Sequence, residues 1–152
     1  MKSASPGLLE AFCGVGNPFS LFTIEPGMTV LDVGCGGGFD LYVASRLAGP
    51  EGRIMGVDLT EAMVMRARDN LKKAGVGNVD VGLIENENLP FGDGTFDAVI
   101  SNGVINLSPD KALVFSEVLR VLRPGGRFGF ADIVLEKELP SELAGSADAW
   151  AQ

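Results

Sequence analysis

Four of the five residues from 34 to 38 are glycine (Gly34, Gly36, Gly37 and Gly38), and an aspartate stands on either side, Asp32 and Asp40. Glycine reaches left-handed backbone conformations and lets a ligand lie against bare backbone. A turn that only joined two elements would not need four of them. They do not form the dinucleotide fingerprint G-x-G-x-x-G, because the sixth position counted from Gly34 is Phe39. The flanking carboxylates would repel a pyrophosphate and attract a cation. A third carboxylate, Asp58, stands 24 positions after Gly34 (58 − 34), where such a residue can accept both hydroxyls of a ribose. The ligand read from these positions carries a ribose and a positive charge, and no diphosphate.

The elements that must hold these residues alternate along the chain. MTVLDV (28–33) reads as a strand running into the glycine loop, and the following helix repeats Leu41, Ala44 and Leu47 at helical spacing. RIMGVD (53–58) is a second strand that ends on Asp58. Thr60 can cap the next helix, with Met63, Ala67, Leu71 and Ala74 on one face. NVDVGLI (78–84) and FDAVIS (96–101) are the third and fourth strands. Asp110 opens a helix with Ala112, Phe115, Leu119 and Leu122 inward; RPGG (123–126) stops it, and RFGFADIVL (127–135) is the fifth strand. Such alternation predicts an α/β fold with a parallel sheet and right-handed crossovers. Its ligand crevice lies at the carboxyl ends of the strands, where the strand order reverses.

Composition narrows the chemistry. With 152 residues the chain forms one domain, a core over about 25–135 and a tail over 136–152. A net charge of −8 argues against nucleic acid as a partner. The absence of histidine removes the usual neutral-pH base and the commonest metal ligand. Two cysteines, Cys13 and Cys35, are too few for a disulfide framework or a zinc site, so no metal is expected. No apolar run approaches the roughly 20 residues that span a bilayer, and the N-terminus makes a poor signal peptide. The expected location is cytoplasmic, with no membrane partner.

The motifs VLDVGCGGGFD, GVD at the end of the second strand, LPFGDGTFDAVIS and VLRPGGRF resemble, in order, those of class I S-adenosylmethionine-dependent methyltransferases. The resemblance covers about residues 25–135. It implies a Rossmann-like methyltransferase fold with strand order 3-2-1-4-5, and S-adenosylmethionine as cofactor, whose sulfonium and amino group suit the acidic loop. It further implies that Gly34 and Gly36 approach the methionine part, with Cys35 as a small residue between them, and that Asp32 and Asp40 order the loop and the amino group. Asp58 would hold the ribose, Leu59 and Met63 would pack on the adenine, and Glu85 and Asn86 match the position that recognises the adenine amino group. Asn102 would contact the methionine through its backbone.

A narrower resemblance links GVGNPF and SNGVINLSPDK to arsenite methyltransferases, whose stretches read like GCGNP and SNCVINLSPDK; quinone-biosynthesis C-methyltransferases share LPFGDGTFDAV more distantly. Where the arsenite enzymes carry cysteine, this chain has Val15 and Gly103. Arsenic(III) is soft and wants several thiolates, and Cys13 alone cannot chelate it. The sequence also stops where that family continues, so the sixth and seventh strands are expected to be missing, with at most one short amphipathic helix after residue 135.

Methyl transfer from a sulfonium needs alignment and desolvation more than acid–base chemistry, and no residue can be named catalytic; Tyr42 is the only tyrosine. Two functions fit: a methyltransferase acting on a small-molecule acceptor, or a catalytically incomplete cofactor-binding domain that needs a partner or has lost turnover. A fifth strand left at the sheet edge would invite a homodimer through that edge or through the tail.

Overall fold

In the computed structural model, which describes residues 6–134, five strands form one parallel sheet. They are β1 (Thr29–Val33), β2 (Arg53–Asp58), β3 (Val79–Leu83), β4 (Phe96–Asn102) and β5 (Leu122–Ala131), in the order β3-β2-β1-β4-β5. The helices are α1 (Pro6–Glu10), α2 (Phe39–Ala48), α3 (Glu61–Lys73) and α4 (Lys111–Val121). This is the Rossmann-like order expected from the sequence. Among the described residues no helix is long and apolar enough to cross a membrane.

Alternate residues of each central strand feed two different cores, because successive side chains leave a strand on opposite faces. Val30, Ala98 and Ile100 pack with Leu41 and Ala44 of α2 and Ala67 and Leu71 of α3. Leu31 and Val99 pack with Val114, Val118 and Val121 of α4. The chain winds outward from β1 through β2 to β3, then returns to the other side of β1 for β4 and β5. That reversal opens the crevice between the carboxyl ends of β1 and β4, where the glycine loop emerges.

Several local expectations need correction. In α2, Leu41 and Ala44 are buried but Leu47 is 43% exposed, and Ala48 takes the inward place. In α4 the inward stripe is Val114, Val118 and Val121, whereas Leu119 is 70% exposed and Ala112 is exposed too. Both stripes are apolar at helical spacing, so periodicity alone could not choose; the compact valines meet the sheet. Phe115 instead lies over the end of the sheet, edge-on to Phe128 and Phe130 of β5 at 6.0 and 5.7 Å. β5 begins at Leu122 opposite Phe96, slips across the RPGG stretch and resumes with Arg127 opposite Ala98. The glycines make an irregularity within the strand, with Gly125 left-handed at φ 81°, and the strand ends at Ala131 rather than at 135. Thr60 does take the cap position of α3, but its side chain makes no capping bond; the first turn is tied by Asp58 Oδ1, which accepts the Thr60 N–H at 2.9 Å. The expectations for residues 136–152 lie outside the described residues.

One side chain secures the β3–β4 connection. The five N–H groups of Arg120 reach Glu117 Oε1 and Oε2 (both 2.7 Å), the Leu89 and Phe91 carbonyls (2.9 and 2.7 Å) and Asp93 Oδ1 (2.9 Å). Glu117 Oε2 also accepts the Leu89 N–H at 2.8 Å. A planar fork with five donors is the group that can hold a loop in this way.

Candidate functional site

The glycine loop is drawn onto the end of β2. The N–H groups of Gly34 and Cys35 both donate to the Val57 carbonyl (2.9 and 3.0 Å), and Gly36 N–H donates to Asp58 Oδ2 at 2.9 Å. Gly34 is left-handed, φ 75°, and a Cβ there would come within 2.4 Å of Val104 Cγ2. Glycine is needed at this position for conformation and for space together.

Two compartments meet over this loop and share Gly34, Asp58 and Val104. The first, about 220 Å³, is largely apolar, with Leu59, Ile84, Leu89, Leu107 and Val118 among its lining and Asn86 and Ser108 as polar groups. The second, about 190 Å³, is walled by Asp32, Gly36, Asp40 and Asn102 on one side and by Ala11, Phe12, Cys13 and Gly14 on the other.

The second compartment carries three carboxylates, Asp32, Asp40 and Asp58, against one cation, Arg66, so its balance favours a positively charged group. Asp32 is only 2% exposed and its carboxylate accepts no hydrogen bond among the described residues. Burial, then the neighbouring Asp40 and Asp58, push its carboxyl well above the usual carboxylate range. Burial also raises Asp40, opposed by the hydrogen bond that the Asn102 side chain donates to it at 2.9 Å. A buried anion without a donor is costly, and an ammonium group placed between these carboxylates would remove that cost. The Cys35 thiol is raised by burial and by Asp32 and Asp58, and it sits in the core beneath the loop, so it is a poor nucleophile.

A family profile described as a methyltransferase domain matches residues 24–152. The chain belongs to the class I S-adenosylmethionine-dependent methyltransferases. It is 43% identical over 136 residues to an arsenite methyltransferase of Halobacterium salinarum, an alignment covering 90% of this chain and 35% of that protein. To the arsenite methyltransferase of Aquipseudomonas alcaligenes it is 41% identical over 138 residues, covering 86% and 39%. A crystal structure of an arsenic(III) S-adenosylmethionine methyltransferase from Chlamydomonas reinhardtii superposes with a TM-score of 0.81 at 40% identity, covering 91% of this chain and 49% of that one. This methyltransferase chain therefore spans little more than a third of the curated relatives it matches. S-adenosylmethionine is the cofactor of the family, and the donor-free carboxylate of Asp32 beside the glycine loop fits it.

Most of the residues singled out from the methyltransferase motifs lie on the two compartments. Asp58, Leu59 and Asn86 line the first, and Asp32, Cys35, Gly36, Asp40, Met63 and Asn102 the second, with Gly34 and Asp58 shared. Met63 is thus on the side of the glycine loop, away from the apolar compartment where Leu59 lies. Glu85 lines neither. Val104, Leu107 and Ser108, in and beside the 3₁₀ segment after β4, and Ala11, Phe12 and Gly14 of the N-terminal wall are not among the residues given a cofactor role by the motifs. The only sequence signal for the former is the VINLS run that follows Asn102.

The two positions at which this chain lacks the arsenite-enzyme cysteines are neighbours in space: a Cβ on Gly103 would lie 3.4 Å from Val15 Cγ1. Cys13 is close by and exposed, its carbonyl oxygen 3.8 Å from the same point.

Replacing Asp58 by alanine removes a carboxylate on which both compartments depend. Charge-assisted hydrogen bonds contribute about 1.5–3 kcal/mol, so affinity for S-adenosylhomocysteine should fall roughly ten- to a hundred-fold. Calorimetric titration of the variant checks this, and unchanged affinity would place the ribose elsewhere.

Proposed function

We propose that this chain binds S-adenosylmethionine across the two compartments and transfers its methyl group to a small-molecule acceptor other than arsenite. The observation that carries the reading is the buried, donor-free Asp32 at the junction of the glycine loop and Asp58. When bound, the cofactor supplies a methyl group on a sulfonium that is a good leaving group. Asp32 and Asp40 hold its amino group. Asp58 holds the ribose hydroxyls with the lone pairs left free by Gly36 and Thr60. Leu59, Ile84 and Val104 enclose the base, with Asn86 at its polar edge. The loop positions Gly34, Cys35 and Gly36 let the methionine part approach the backbone, Met63 packs beside it, and the Asn102 backbone flanks it. Glu85 is the alternative to Asn86 at the base.

The acceptor lies against the wall made by Phe12, Cys13, Val15 and Gly103. Val15 and Gly103 place a valine side chain and a bare backbone where a metalloid would need sulfur. Arsenite supplied with S-adenosylmethionine and glutathione should therefore not be turned over by the purified chain. Robust methylation that survives Cys13→Ser would contradict this. In a second reading the chain holds the cofactor and a partner or a second copy completes the acceptor site; the lone exposed thiol of Cys13 favours it. Methyl transfer by the chain alone to any acceptor would exclude that reading.

We also propose a two-fold dimer over β5. Among the described residues β5 ends the sheet, Phe130, Ile133 and Val134 are exposed there, 41%, 51% and 86%, and such a strand edge offers backbone groups for pairing. Sedimentation at micromolar concentration should show association; a single 15.9 kDa species would remove the dimer.

A further inference from the structure

The outer wall of the second compartment is a strap of N-terminal chain, and nothing in the motif pattern accounts for what holds it there. Its first anchor is Asn70, a buried polar side chain on α3 whose Nδ2 donates to the Gly37 carbonyl at 2.9 Å and to the Gly7 carbonyl at 3.4 Å. Leu8 is fully buried, and a Cβ on Gly37 would meet Ala11 Cβ at 2.4 Å. The Phe12 and Phe39 rings pack with centroids 4.9 Å apart. This end of the strap is core structure.

At the other end, residues 14–16, every hydrogen bond among the described residues is made with one side chain. Asn102 Oδ1 accepts the N–H groups of Val15 and Gly16 at 2.8 and 3.1 Å, and Nδ2 donates to the Gly16 carbonyl at 3.0 Å and to Asp40 Oδ2 at 2.9 Å. Two donated and two accepted bonds use the whole capacity of the amide. Gly14 independently points to the same contact. Its backbone lies outside the left-handed region, so conformation does not require glycine there. A Cβ at this position would lie 2.2 Å from Asn102 Nδ2 and 2.7 Å from Phe12 Cε2. Close approach of the strap to Asn102 is thus the reason for glycine at 14.

We infer that Asn102 is a positioning residue whose side chain latches residues 14–16 beside the methionine compartment, whose wall includes Gly14, so that ligand exchange is faster when this latch opens. The inference rests on the cofactor reading above and adds to it a role for the Asn102 side chain, where the motifs implied only its backbone. The bond to Asp40 joins the latch to a carboxylate that faces the ligand. Filling the compartment and closing the strap therefore act on the same carboxylate, and the coupling between them is reciprocal. Beyond the bonds to Asn102, residues 14–16 make no hydrogen bond among the described residues; Gly16 lies close on Ala131 and Val15 faces Gly103, with Val15 46% exposed. Such a segment opens locally at low cost.

Amide hydrogen exchange at Val15 and Gly16, with stopped-flow dissociation of S-adenosylhomocysteine, tests the latch in the wild-type chain, Asn102→Ala, Gly14→Ala and the double variant. Removing two ordinary backbone-to-amide hydrogen bonds should speed exchange at both residues by about ten-fold or more. Ligand dissociation should accelerate by a similar factor in each single variant. The double variant should be no worse than the more severe single one, because both break one contact. Exchange and dissociation within about two-fold of wild type in Asn102→Ala, or additive effects in the double variant, would overturn the latch. Should Asn102→Ala fail to fold, Gly14→Ala decides, since it pushes the strap off Asn102 while leaving the Asn102 side chain and β4 unchanged in sequence. If the wild-type chain binds no S-adenosylhomocysteine, the cofactor reading fails, and exchange in the ligand-free variants still judges the latch.

Discussion

Asp32→Asn should raise the melting temperature of the ligand-free chain at pH 7 and, in the same protein, weaken S-adenosylhomocysteine binding by on the order of a hundred-fold or more. The two effects have one cause. The fold raises the Asp32 carboxyl above its unfolded value, first through burial and then through Asp40 and Asp58. A carboxyl raised in the folded state supports the fold below its unfolded pKa, near 3.9, and that support is lost as pH rises through the folded value. At neutral pH the ligand-free chain therefore carries the cost of burying a group that would be ionised in the unfolded chain, and asparagine removes it. Binding moves the other way: removing one partner of a buried charge pair costs about 3–5 kcal/mol, and in the proposed binding mode Asp32 is the partner of the cofactor's amino group. Thermal melts from pH 4 to 8 should show wild type and variant diverging as pH rises. A variant less stable than wild type at pH 7, or one that binds normally, would contradict this account of the acidic loop.

The second large effect is on the fold. Arg120→Ala should cost about 2–4 kcal/mol, since it orphans the Leu89 and Phe91 carbonyls and leaves Glu117 without its cation. The lower end applies because the Arg120 side chain is 32% exposed and water replaces part of what is lost. Lysine should not rescue it, having neither the fork nor five donors. Leu89 lines the apolar compartment, so ligand affinity should fall with stability. The pH signature is separate from that of Asp32. The hydrogen bonds from Arg120 outweigh partial burial and, helped by the Leu89 N–H, hold the Glu117 carboxyl at about 2. A carboxyl depressed in the folded state contributes stability above its unfolded value, near 4.3, and that contribution is lost as pH falls toward about 2. Denaturant titrations of wild type and Glu117→Gln should differ above pH 4.5 and converge on acidification; a difference independent of pH would show that Glu117 is not held in this way.

The sequence was most readable where a local signal decides the structure. β2 begins and ends where the RIMGVD run does, because an apolar run bounded by glycine before and a capping turn after leaves no other register. The glycine loop and its carboxylates are equally local. α4 was not readable: valine and phenylalanine stripes repeat at the same spacing, and only the neighbouring sheet picks one. The start of β5 was missed because RPGG reads as a stop, yet a strand can slip past it when the partner strand continues. The motifs place Asn102 beside the ligand, but its side chain closes contacts 86 and 87 residues away in the chain, which no local pattern encodes. Arg120 is likewise an ordinary basic residue near a helix end until the fold brings the β3–β4 connection to it.

The most direct test of the central claim is calorimetric titration of the wild-type chain at pH 7 with S-adenosylmethionine and with S-adenosylhomocysteine, repeated in the presence of a nicotinamide dinucleotide. Both sulfur ligands should bind saturably at one site per chain, and the dinucleotide should not compete, since its pyrophosphate would face Asp32 and Asp40. No saturable binding at millimolar ligand, or displacement by the dinucleotide, would contradict it.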